Sequence, residues 1–363
     1  MKTILILSHT RGTSDFKIGS HHYANGFSEI GWDVFFLGIP YTLMHKFLNK
    51  SKSGVRQLKK EVKEFNVAFA FPITGAYKPL LKNVNKTCEM LISRKKAYED
   101  IEFDIILCDY PFFVDYLDLF KYKKLIYRPT DNYISMSGNQ VIRFEEKIIS
   151  ISDYIVPTSD LISDELVKRY NINERKIKAI SNGFDDRMFM DELPEYKNGA
   201  VYIGAIDYRL DIETIVFLAE TFPEDKFDIY GPVSQDFSKK IDEAEKKYPN
   251  LKFHGKIDYS KTFEIYKNAK IGLLPLNSHE SNISRSPMKL WEYASSGLNI
   301  LYSQVYVKNK QQYGFLYKYD SQNLIDCYRA AKDTPFPLNE RELMRLHTWK
   351  YKVKELEDII VKL

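Results

Sequence analysis

The chain has 363 residues, enough for two domains of ordinary size, each with its own core. Its formal net charge is only +4, so bulk charge gives no reason to expect a nucleic-acid partner. Cys88, Cys108 and Cys327 stand far apart, which argues against a disulfide framework or a cysteine metal site and favours a reducing cytoplasm. The first apolar run, Ile4–Leu7, is too short for a signal peptide or a membrane span.

The first half of the chain alternates predicted strands with helical segments. A polar loop, Ser8–Ser20, joins the first strand to a helix predicted at His21–Ile30, as in the β-α-β start of a parallel sheet. This loop has neither G-x-G-x-x-G nor G-x-x-x-x-G-K-[ST], so the usual support for dinucleotide or P-loop binding is missing. The predicted strands are Lys2–Leu7, Asp33–Leu37, Val67–Phe71, Asp104–Cys108, Lys124–Tyr127 and Tyr154–Pro157.

The second half repeats this alternation after an acidic, aperiodic segment, Asp186–Gly199, which we interpret as a linker. The end of the chain, Leu346–Leu363, has the apolar stripe of an amphipathic helix. The pattern therefore predicts two doubly wound α/β halves. The strands predicted in the second half are Ala200–Ile203, Lys226–Tyr230, Leu251–Phe253, Ile271–Leu274 and Asn299–Tyr302.

The segment Ser284–Gly297, SRSPMKLWEYASSG, predicts a helix that starts next to the end of a strand. Ser286 suits the N-cap, Pro287 the first helical position and Gly297 the C-terminal end. The free N–H groups and the positive dipole end of such a helix can bind an anion.

Charged side chains on this helix extend that anion site. Lys289 and Arg285 add two cations near the first turn. Glu292 follows one turn later, where a carboxylate can accept hydrogen bonds from a vicinal diol. Together they would suit a diphosphate and a ribose. An ordinary capped helix with solvated charges remains the alternative.

Four phrases resemble, in order, those of the GT-B glycosyltransferases. They are Thr158–Phe189, which contains the phrase NGFDDRMF, VYIGAID at Val201–Asp207, the segment Lys252–Leu276, and P-M-K-L-W-E-Y-x-x-x-G. Together with YRPTDNY at Tyr127–Tyr133, the last phrase looks most similar to the glucuronosyltransferase of xanthan assembly and to related capsule and cell-wall enzymes.

The resemblance implies an α/β fold of the GT-B type, with two Rossmann-like domains of parallel sheet facing a cleft. Residues 1–190 would form the N-terminal, acceptor-binding domain, and residues 199–345 the C-terminal domain that binds the nucleotide sugar. Residues 346–363 would form a helix that packs back on the N-terminal domain.

The resemblance also assigns a donor site. Met288, Lys289 and Glu292 would contact the sugar nucleotide, and Gly204 would let its backbone approach a phosphate, although a plain turn glycine is almost as good an explanation. The predicted donor-binding residues are Gly204, Tyr230, Lys256, Ile257, Arg285, Ser286, Met288, Lys289 and Glu292.

In the N-terminal half, the resemblance assigns Asp131 as the catalytic base. Asp131 lies in a loop after an apolar strand, beside Arg128, which we expect to lower the pKa of this carboxyl. An ordinary Asp-Asn turn is the alternative. His21 and His22, at the start of the first helix, are predicted to contact the acceptor and are the next candidates for the base.

Two patterns bear on the mechanism. Many retaining members of the fold carry E-x7-E, but here Ser284 stands eight residues before Glu292 and Glu280 is out of register, so inversion is favoured. No D-x-D occurs in the sequence, and a metal-independent reaction without a cofactor is therefore expected.

The segment Tyr41–Phe65 is basic and partly amphipathic, with only Glu61 and Glu64 as acids, which suits an anionic membrane surface. A solvated helical face explains the same pattern. The cations of this segment are Lys46, Lys50, Lys52, Arg56, Lys59, Lys60 and Lys63.

The sequence thus predicts a glycosyltransferase that moves a sugar from a nucleoside-diphosphate sugar, with a UDP-sugar favoured, to a glycan hydroxyl. The acceptor would be lipid-linked, in bacterial polysaccharide or cell-surface glycan synthesis, and the enzyme peripheral on the cytoplasmic face of the inner membrane. The alternatives are a retaining transferase or an epimerase on the same fold, or a non-catalytic scaffold subunit of a glycan-assembly complex.

Overall fold

The computed structural model describes residues 2–14, 16–48, 54–75, 79–92, 98–189, 198–283, 285–308 and 310–363. The chain divides into two compact units. Unit 1 comprises Met1–Ser181 and Lys352–Leu363, and unit 2 comprises Asn182–Tyr351. Each unit is built around one six-stranded sheet with the strands in parallel, as the apolar runs predicted.

In unit 1 the strand order is β5-β3-β1-β6-β7-β8. The central strand carries the run Ile4–Leu7, in which every side chain is fully buried, because helices cover both faces of a parallel sheet. The strands are β1 (Thr3–Leu7), β2 (Thr13–Ser14), β3 (Asp33–Leu37), β4 (Val55–Arg56), β5 (Lys63–Glu64), β6 (Glu102–Cys108), β7 (Lys121–Tyr127) and β8 (Tyr154–Ile155), of which β2 and β4 form a separate antiparallel pair. The helices are α1 (Gly19–Glu29), α2 (Leu43–Phe47), α3 (Pro79–Ile92), α4 (Tyr133–Ser137), α5 (Ile142–Ile151) and α6 (Asp160–Tyr170).

In unit 2 the strand order is β11-β10-β9-β12-β13-β14, and a separate apolar cluster packs on each face of the sheet. The strands are β9 (Ala200–Ile203), β10 (Phe227–Tyr230), β11 (Leu251–Gly255), β12 (Ile271–Leu274), β13 (Asn299–Tyr302) and β14 (Leu316–Lys318). The helices are α7 (Ile212–Thr221), α8 (Ser238–Lys247), α9 (Thr262–Asn268), α10 (Glu280–Ile283), α11 (Met288–Ser295) and α12 (Leu324–Asp333). The last helix, α13 (Trp349–Lys362), begins in unit 2 and continues into unit 1 from Lys352.

One predicted strand, Val67–Phe71, is wrong. Val67 and Phe69 are buried, as in a strand, but side chains of α3 bond the backbone of Ala68 and Phe71. The carbonyls of Phe69 and Ala70 accept from the N–H groups of Leu43 and Met44 in α2. Glu89 accepts from the N–H of Ala68, and Asn85 both accepts from the N–H of Phe71 (2.8 Å) and donates to its carbonyl (3.0 Å). The strand at this edge of the sheet is instead the short, exposed β5.

The last helix, α13, follows the predicted apolar stripe. Trp349, Val353, Leu356 and Ile360 are buried, and the part of the chain from Lys352 onward belongs to unit 1. Within that unit, Val353 packs closely against Gly26 of α1. Part of the predicted linker, residues 190–197, lies outside the described residues.

Candidate functional site

Helix α11 begins one residue later than predicted. Pro287 is extended (φ −72°, ψ 121°) and occupies the N-cap position, without a side-chain cap. The hydroxyl of Ser286 instead accepts from the N–H of Asn182 (3.0 Å), and the Ser286 carbonyl accepts from the Asn182 amide (3.0 Å). The predicted capping role of Ser286 is therefore wrong, because this serine ties down another segment of unit 2.

The other end of α11 is closed as the sequence predicted. Gly297 has φ +73°, where glycine has no steric penalty. Its N–H donates to Ala294 (3.0 Å) and that of Leu298 donates to Tyr293 (3.0 Å), the hydrogen bonds of a Schellman motif. Tyr293 packs on Gly272 of β12, where a Cβ would lie 2.4 Å from its ring. The helix is thus fixed against the sheet.

Glu292 is fully buried inside unit 2. Its carboxylate accepts hydrogen bonds from Lys289 (Nζ–Oε2, 2.6 Å), Tyr266 (3.0 Å) and Tyr259 (3.3 Å). Burial, followed by the charge of Glu292, raises the pKa of both tyrosines well above the usual value, so each hydroxyl keeps its proton and can donate. In this arrangement the carboxylate faces protein donors, and its most direct partner is Lys289. The predicted ribose contact of Glu292 stays a prediction.

Lys289 retains access to solvent, with 22% of its side chain exposed. Its ammonium lies over the rings of Tyr259 (5.6 Å) and Tyr266 (6.0 Å) while it is bonded to Glu292. Met288, the first residue of the helix, is half-buried. Lys289 is therefore a cation in the first turn that buried side chains hold in place.

Two arginines lie near the same end of the unit 2 sheet. Arg209 forms a two-pronged ion pair with Asp207, with Nε 2.9 Å from Oδ1, just after β9. Arg285 is close enough to Asp207 to help lower the pKa of that carboxyl, after the hydrogen bonds from Arg209. Arg209 was not predicted, although its position two residues after Asp207 in a strand-end loop is where a ligand contact would be sought.

The turns after β9, β10 and β11 meet at one edge of the sheet. The N–H of Gly204 donates to Tyr230 (3.0 Å), and the N–H of Gly231 donates to Gly255 (2.8 Å). Gly231 has φ +144°, and a Cβ there would lie 1.7 Å from the carbonyl oxygen of Gly204. The absence of a side chain at Gly231 thus lets two adjacent turns pack directly against each other.

The remaining predicted donor residues follow these turns. The ring of Tyr230 stacks on His254, with 4.4 Å between centroids. Lys256 is exposed and Ile257 is half-buried just after β11. The structure therefore brings Gly204, Tyr230, Lys256 and Ile257 to the carboxyl edge of neighbouring strands.

A wider cavity of about 840 Å³ opens at the carboxyl ends of β13 and β14. Its lining is mostly polar and includes Asn277, Lys318 and Asp320. None of the predicted donor residues lines it.

In unit 1, Asp131 is half-buried in the loop that follows β7. Its carboxylate accepts from the hydroxyl of Thr130 (3.1 Å). The next residue, Asn132, caps α4 by accepting from the N–H groups of Ile134 (3.1 Å) and Ser135 (3.2 Å). Asn132, and not Asp131, thus supplies the oxygen that caps this turn. The carboxylate of Asp131 lies in the loop that follows β7.

Arg128 forms a buried ion pair with Asp109. Its guanidinium donates to Asp109 (2.7 Å), and both side chains are almost completely enclosed, at 1% and 0% exposure. The face of the Tyr23 ring covers Arg128 at 4.7 Å. Burial raises the pKa of Asp109 in spite of the opposing charge of Arg128. The pairing arises because Cys108 and Tyr127 are register partners in β6 and β7, so the residues that follow them lie side by side.

His9 also belongs to this cluster, and the sequence analysis missed it. It is half-buried just after β1, and its buried Nδ1 has no hydrogen-bond partner among the described residues. Burial lowers the pKa of His9, while the charges of Asp109 and Asp131 act in the opposite direction. A histidine directly after the first buried strand was the signal that could have identified it.

The backbone engages both ring nitrogens of His21. It is fully buried, its Nδ1 accepts from the N–H of Ile18 (3.1 Å), and its Nε2 lies 2.8 Å from the carbonyl of Arg11. Burial lowers its pKa to about 4, so the ring is neutral and both nitrogens hold backbone. His22 is 5% exposed, which leaves little surface for an acceptor. The predicted acceptor contacts of His21 and His22 are therefore not supported by their environments.

Three further predictions concern the retaining motif, metal binding and membrane insertion. Ser284, which stands where retaining enzymes have a glutamate, lies outside the described residues. Within the described parts of the chain, no three His, Cys, Asp or Glu side chains are grouped as metal ligands. No described helix combines the length and the apolar character needed to cross a bilayer.

Comparisons with known proteins agree with this architecture. No protein-family model matches the chain. A protein of Bacillus subtilis (strain 168) named as a teichuronic acid biosynthesis glycosyltransferase, TuaH, is 24% identical over 236 residues, which cover 60% of this chain and 59% of that protein.

Solved structures match over almost the whole chain. Sucrose-phosphate synthase of Thermosynechococcus elongatus superposes with a TM-score of 0.72 and 14% identity, covering 100% of this chain and 99% of that one. Anabaena Alr3699/HepE in complex with UDP gives 0.67 and 13% identity, with both chains covered completely. The lipopolysaccharide outer core galactosyltransferase WaaB in its apo form gives 0.68 and 14% identity, covering 99% of this chain and 100% of that one.

The chain therefore has the GT-B fold of glycosyltransferases, as the sequence phrases predicted.

Proposed function

We propose that the protein is a glycosyltransferase that uses a nucleoside-diphosphate sugar, with UDP as the favoured nucleotide. The observation that carries this proposal is Lys289, a partly exposed cation in the first turn of α11 that buried Glu292 holds in place. Arg209 and Arg285 add positive charge near the end of β9. A diphosphate is the group that cations near a helix N-terminus bind well.

The same residues support a reaction in which protein cations neutralise the leaving group. In transfer, an acceptor hydroxyl forms a bond to the anomeric carbon while the bond from that carbon to the donor phosphate oxygen breaks. The nucleoside diphosphate leaves with its added negative charge, which Lys289, Arg285 and Arg209 can balance. We therefore propose a reaction that needs no metal ion.

Asp131 is the proposed base of an inverting transfer. A half-buried carboxylate in a strand-end loop can take the proton of the acceptor hydroxyl as the new bond forms. The relative in Bacillus subtilis is named for teichuronic acid biosynthesis, and a glycan acceptor of a cell-surface polysaccharide is the matching proposal for this chain. UDP in the HepE complex supports the choice of nucleotide.

A panel of nucleotides tests the proposal most directly. UDP, ADP, GDP and UDP-sugars would be added to the purified protein, and its melting temperature and binding heat measured. A ligand at about 100 times its Kd stabilises the protein by about 2.7 kcal/mol, so UDP should raise the melting temperature clearly. Slow hydrolysis of a UDP-sugar would separate an enzyme from a scaffold subunit. The proposal fails if no nucleotide diphosphate binds.

A lipid-linked acceptor at an anionic membrane is part of the proposal, and α2 supports it. None of its residues is buried, and Phe47 is 87% exposed next to exposed Lys46. Other cations of the predicted basic segment already have acidic partners, as Lys59 does in Glu29 and Lys63 in Asp33. Lys50 and Lys52 lie outside the described residues.

The structure therefore narrows the membrane test to α2. We expect Phe47→Ser combined with Lys46→Glu to reduce sedimentation with phosphatidylglycerol vesicles, because each cation contributes about 1 kcal/mol near such a surface. Lys123→Glu, an exposed cation at the amino end of β7, is the matched control. Equal binding to phosphatidylcholine vesicles, or none to either, would contradict membrane association through this segment.

A further inference from the structure

A second cavity lies at the carboxyl edge of the unit 1 sheet, beyond the ends of β1, β3 and β5. Its volume is about 220 Å³, room for an ionised group and part of a sugar ring. Arg11, Thr13, Tyr41 and Glu64 are among its lining residues. The Asp109–Arg128 pair and Asp131 follow β6 and β7, further along the same sheet, and do not line it.

Arg11 is the central cation of this cavity. It is half-buried, its guanidinium carbon lies 5.1 Å from the centre of the Tyr41 ring, and its Nε donates to the carbonyl of Ile39 (3.0 Å). Among the described residues it forms no ion pair with a carboxylate. Its two terminal nitrogens therefore remain available for a planar, two-oxygen ligand.

The acid in the cavity does not neutralise Arg11. One oxygen of Glu64 accepts from the N–H of Gly12 (2.9 Å) and the other pairs with Arg56 (3.1 Å). The formal charges of Arg11, Arg56 and Glu64 sum to +1, with Glu64 already engaged on both oxygens. A partly desolvated guanidinium with excess positive charge favours an anion.

The walls of the cavity are held in place by backbone contacts. The Asn66 side chain accepts from the N–H of Tyr41 (3.0 Å) and donates to its carbonyl (3.3 Å). His21 fixes the carbonyl of Arg11 at 2.8 Å. Gly38 allows the loops to touch, because a Cβ there would lie 2.5 Å from the Cα of Arg11. The ring and the guanidinium thus form a preorganised surface rather than a chance contact.

We propose that Arg11, stacked on Tyr41, binds an anionic group of the glycan acceptor, a carboxylate or a phosphate ester. This inference rests on the proposed function only in taking the anion to belong to the acceptor. The subsite selects acidic acceptors over neutral ones, and its distance along the sheet from Asp131 separates recognition from the reacting hydroxyl.

The test uses the full chain with D-glucuronate, inorganic phosphate and D-glucose as probes, and UDP in parallel. Binding is followed by ligand-observed NMR or calorimetry at millimolar probe. We expect glucuronate or phosphate to bind and glucose not to bind. Binding of glucuronate alone indicates a carboxylate ligand, and binding of phosphate alone indicates a phosphate ester. Arg11→Gln should raise the Kd of the anion by about tenfold or more, because a charge-assisted hydrogen-bond pair is lost.

Two further variants keep the test decisive. Glu64→Gln keeps an acceptor for Gly12 but removes a negative charge, so it should tighten anion binding. Lys123→Gln removes an exposed cation at the opposite edge of the same sheet and should change nothing. Thermal melts show that each variant is folded.

The inference is overturned if glucose binds as well as glucuronate, if no anion binds, or if Arg11→Gln and Glu64→Gln leave the Kd unchanged. A loss of UDP affinity in Arg11→Gln would assign the cation to the donor and also overturn it. If UDP binds and no anion binds, the proposed transferase function stands and the anion subsite is refuted. If an anion binds and UDP does not, only the proposed transferase function is refuted.

Discussion

Each unit places an acid–cation pair at the carboxyl edge of its sheet, and the two pairs differ in how far solvent reaches the cation. In unit 1 the side chains of Arg128 and Asp109 are 1% and 0% exposed. In unit 2 those of Lys289 and Glu292 are 22% and 0% exposed. An enclosed pair has no face left for a substrate, whereas a half-open cation can exchange partners. The first pair should therefore support stability, and the second should support ligand binding.

The largest effect is expected at Asp131, the half-buried acid of unit 1. Asp131→Asn keeps the shape of the side chain but removes the proton acceptor, so transfer should slow by about 10²- to 10⁴-fold. UDP affinity should not change. Single-turnover transfer to a glycan acceptor measures this, with Asp118→Asn, an exposed acid paired with Lys86, as the control. A near-parental rate would exclude Asp131, and His9 would be the next candidate.

The enclosed pair can be broken by Arg128→Met, which leaves a buried carboxylate without its counter-charge. Such a change typically costs about 3–5 kcal/mol of unfolding free energy. Urea unfolding should show this loss, whereas Lys123→Met breaks an exposed pair with Asp104 and should leave the unfolding free energy nearly unchanged. Similar losses in the two variants would contradict the structural role assigned to Arg128.

A third expectation concerns pH and the neutral ring of His21. Its folded pKa of about 4 lies below the ordinary value of 6.5, so the unfolded chain binds the extra proton first as pH falls. Stability from this residue is fully present above pH 6.5 and is lost as pH falls towards 4, by on the order of 3 kcal/mol. His21→Gln should flatten the dependence of the unfolding free energy on pH in that window. An unchanged slope would show that other groups cause it.

The smallest effect is expected at the half-open pair. Lys289→Ala should weaken UDP binding by about 1.5–3 kcal/mol, because one charge-assisted hydrogen bond is lost. It should also lower the melting temperature, because buried Glu292 loses its counter-charge. Lys267→Ala removes a lysine that forms the same i,i+3 kind of pair, with Glu264, on the exposed side of α9. Calorimetric titration compares the two. Wild-type affinity in Lys289→Ala would remove this lysine from the donor site.

The sequence predicts the sheets well because burial on both faces leaves continuous apolar runs, as in Ile4–Leu7 and Ile300–Tyr302. Val67–Phe71 shows the limit of that rule. Val67 and Phe69 are buried like residues of a strand. The N–H groups of Ala68 and Phe71, however, donate to the side chains of Glu89 and Asn85, which are distant in sequence.

The site residues divide in the same way. The position of Lys289 in the first turn of a helix could be predicted, because the start of a helix depends on local sequence. The partner of Arg128 could not, because it depends on the register between β6 and β7. The environment of His21 likewise depends on where the chain folds the carbonyl of Arg11. Local signals thus identify which residues carry charge, and only tertiary contacts decide which of them stay available.

Because Lys289 is bonded to Glu292, a ligand must compete with this carboxylate for the lysine ammonium. Under the proposed function, an incoming group must offer Lys289 more negative charge than a single carboxylate does, which a diphosphate can and a neutral sugar cannot. The Glu292 carboxylate remains in place after the transfer. As the nucleoside diphosphate departs, Lys289 can return to Glu292 instead of being left without a counter-ion. The internal acid would therefore lower the free-energy cost of product release. The nucleoside diphosphate would then stay bound for a shorter time.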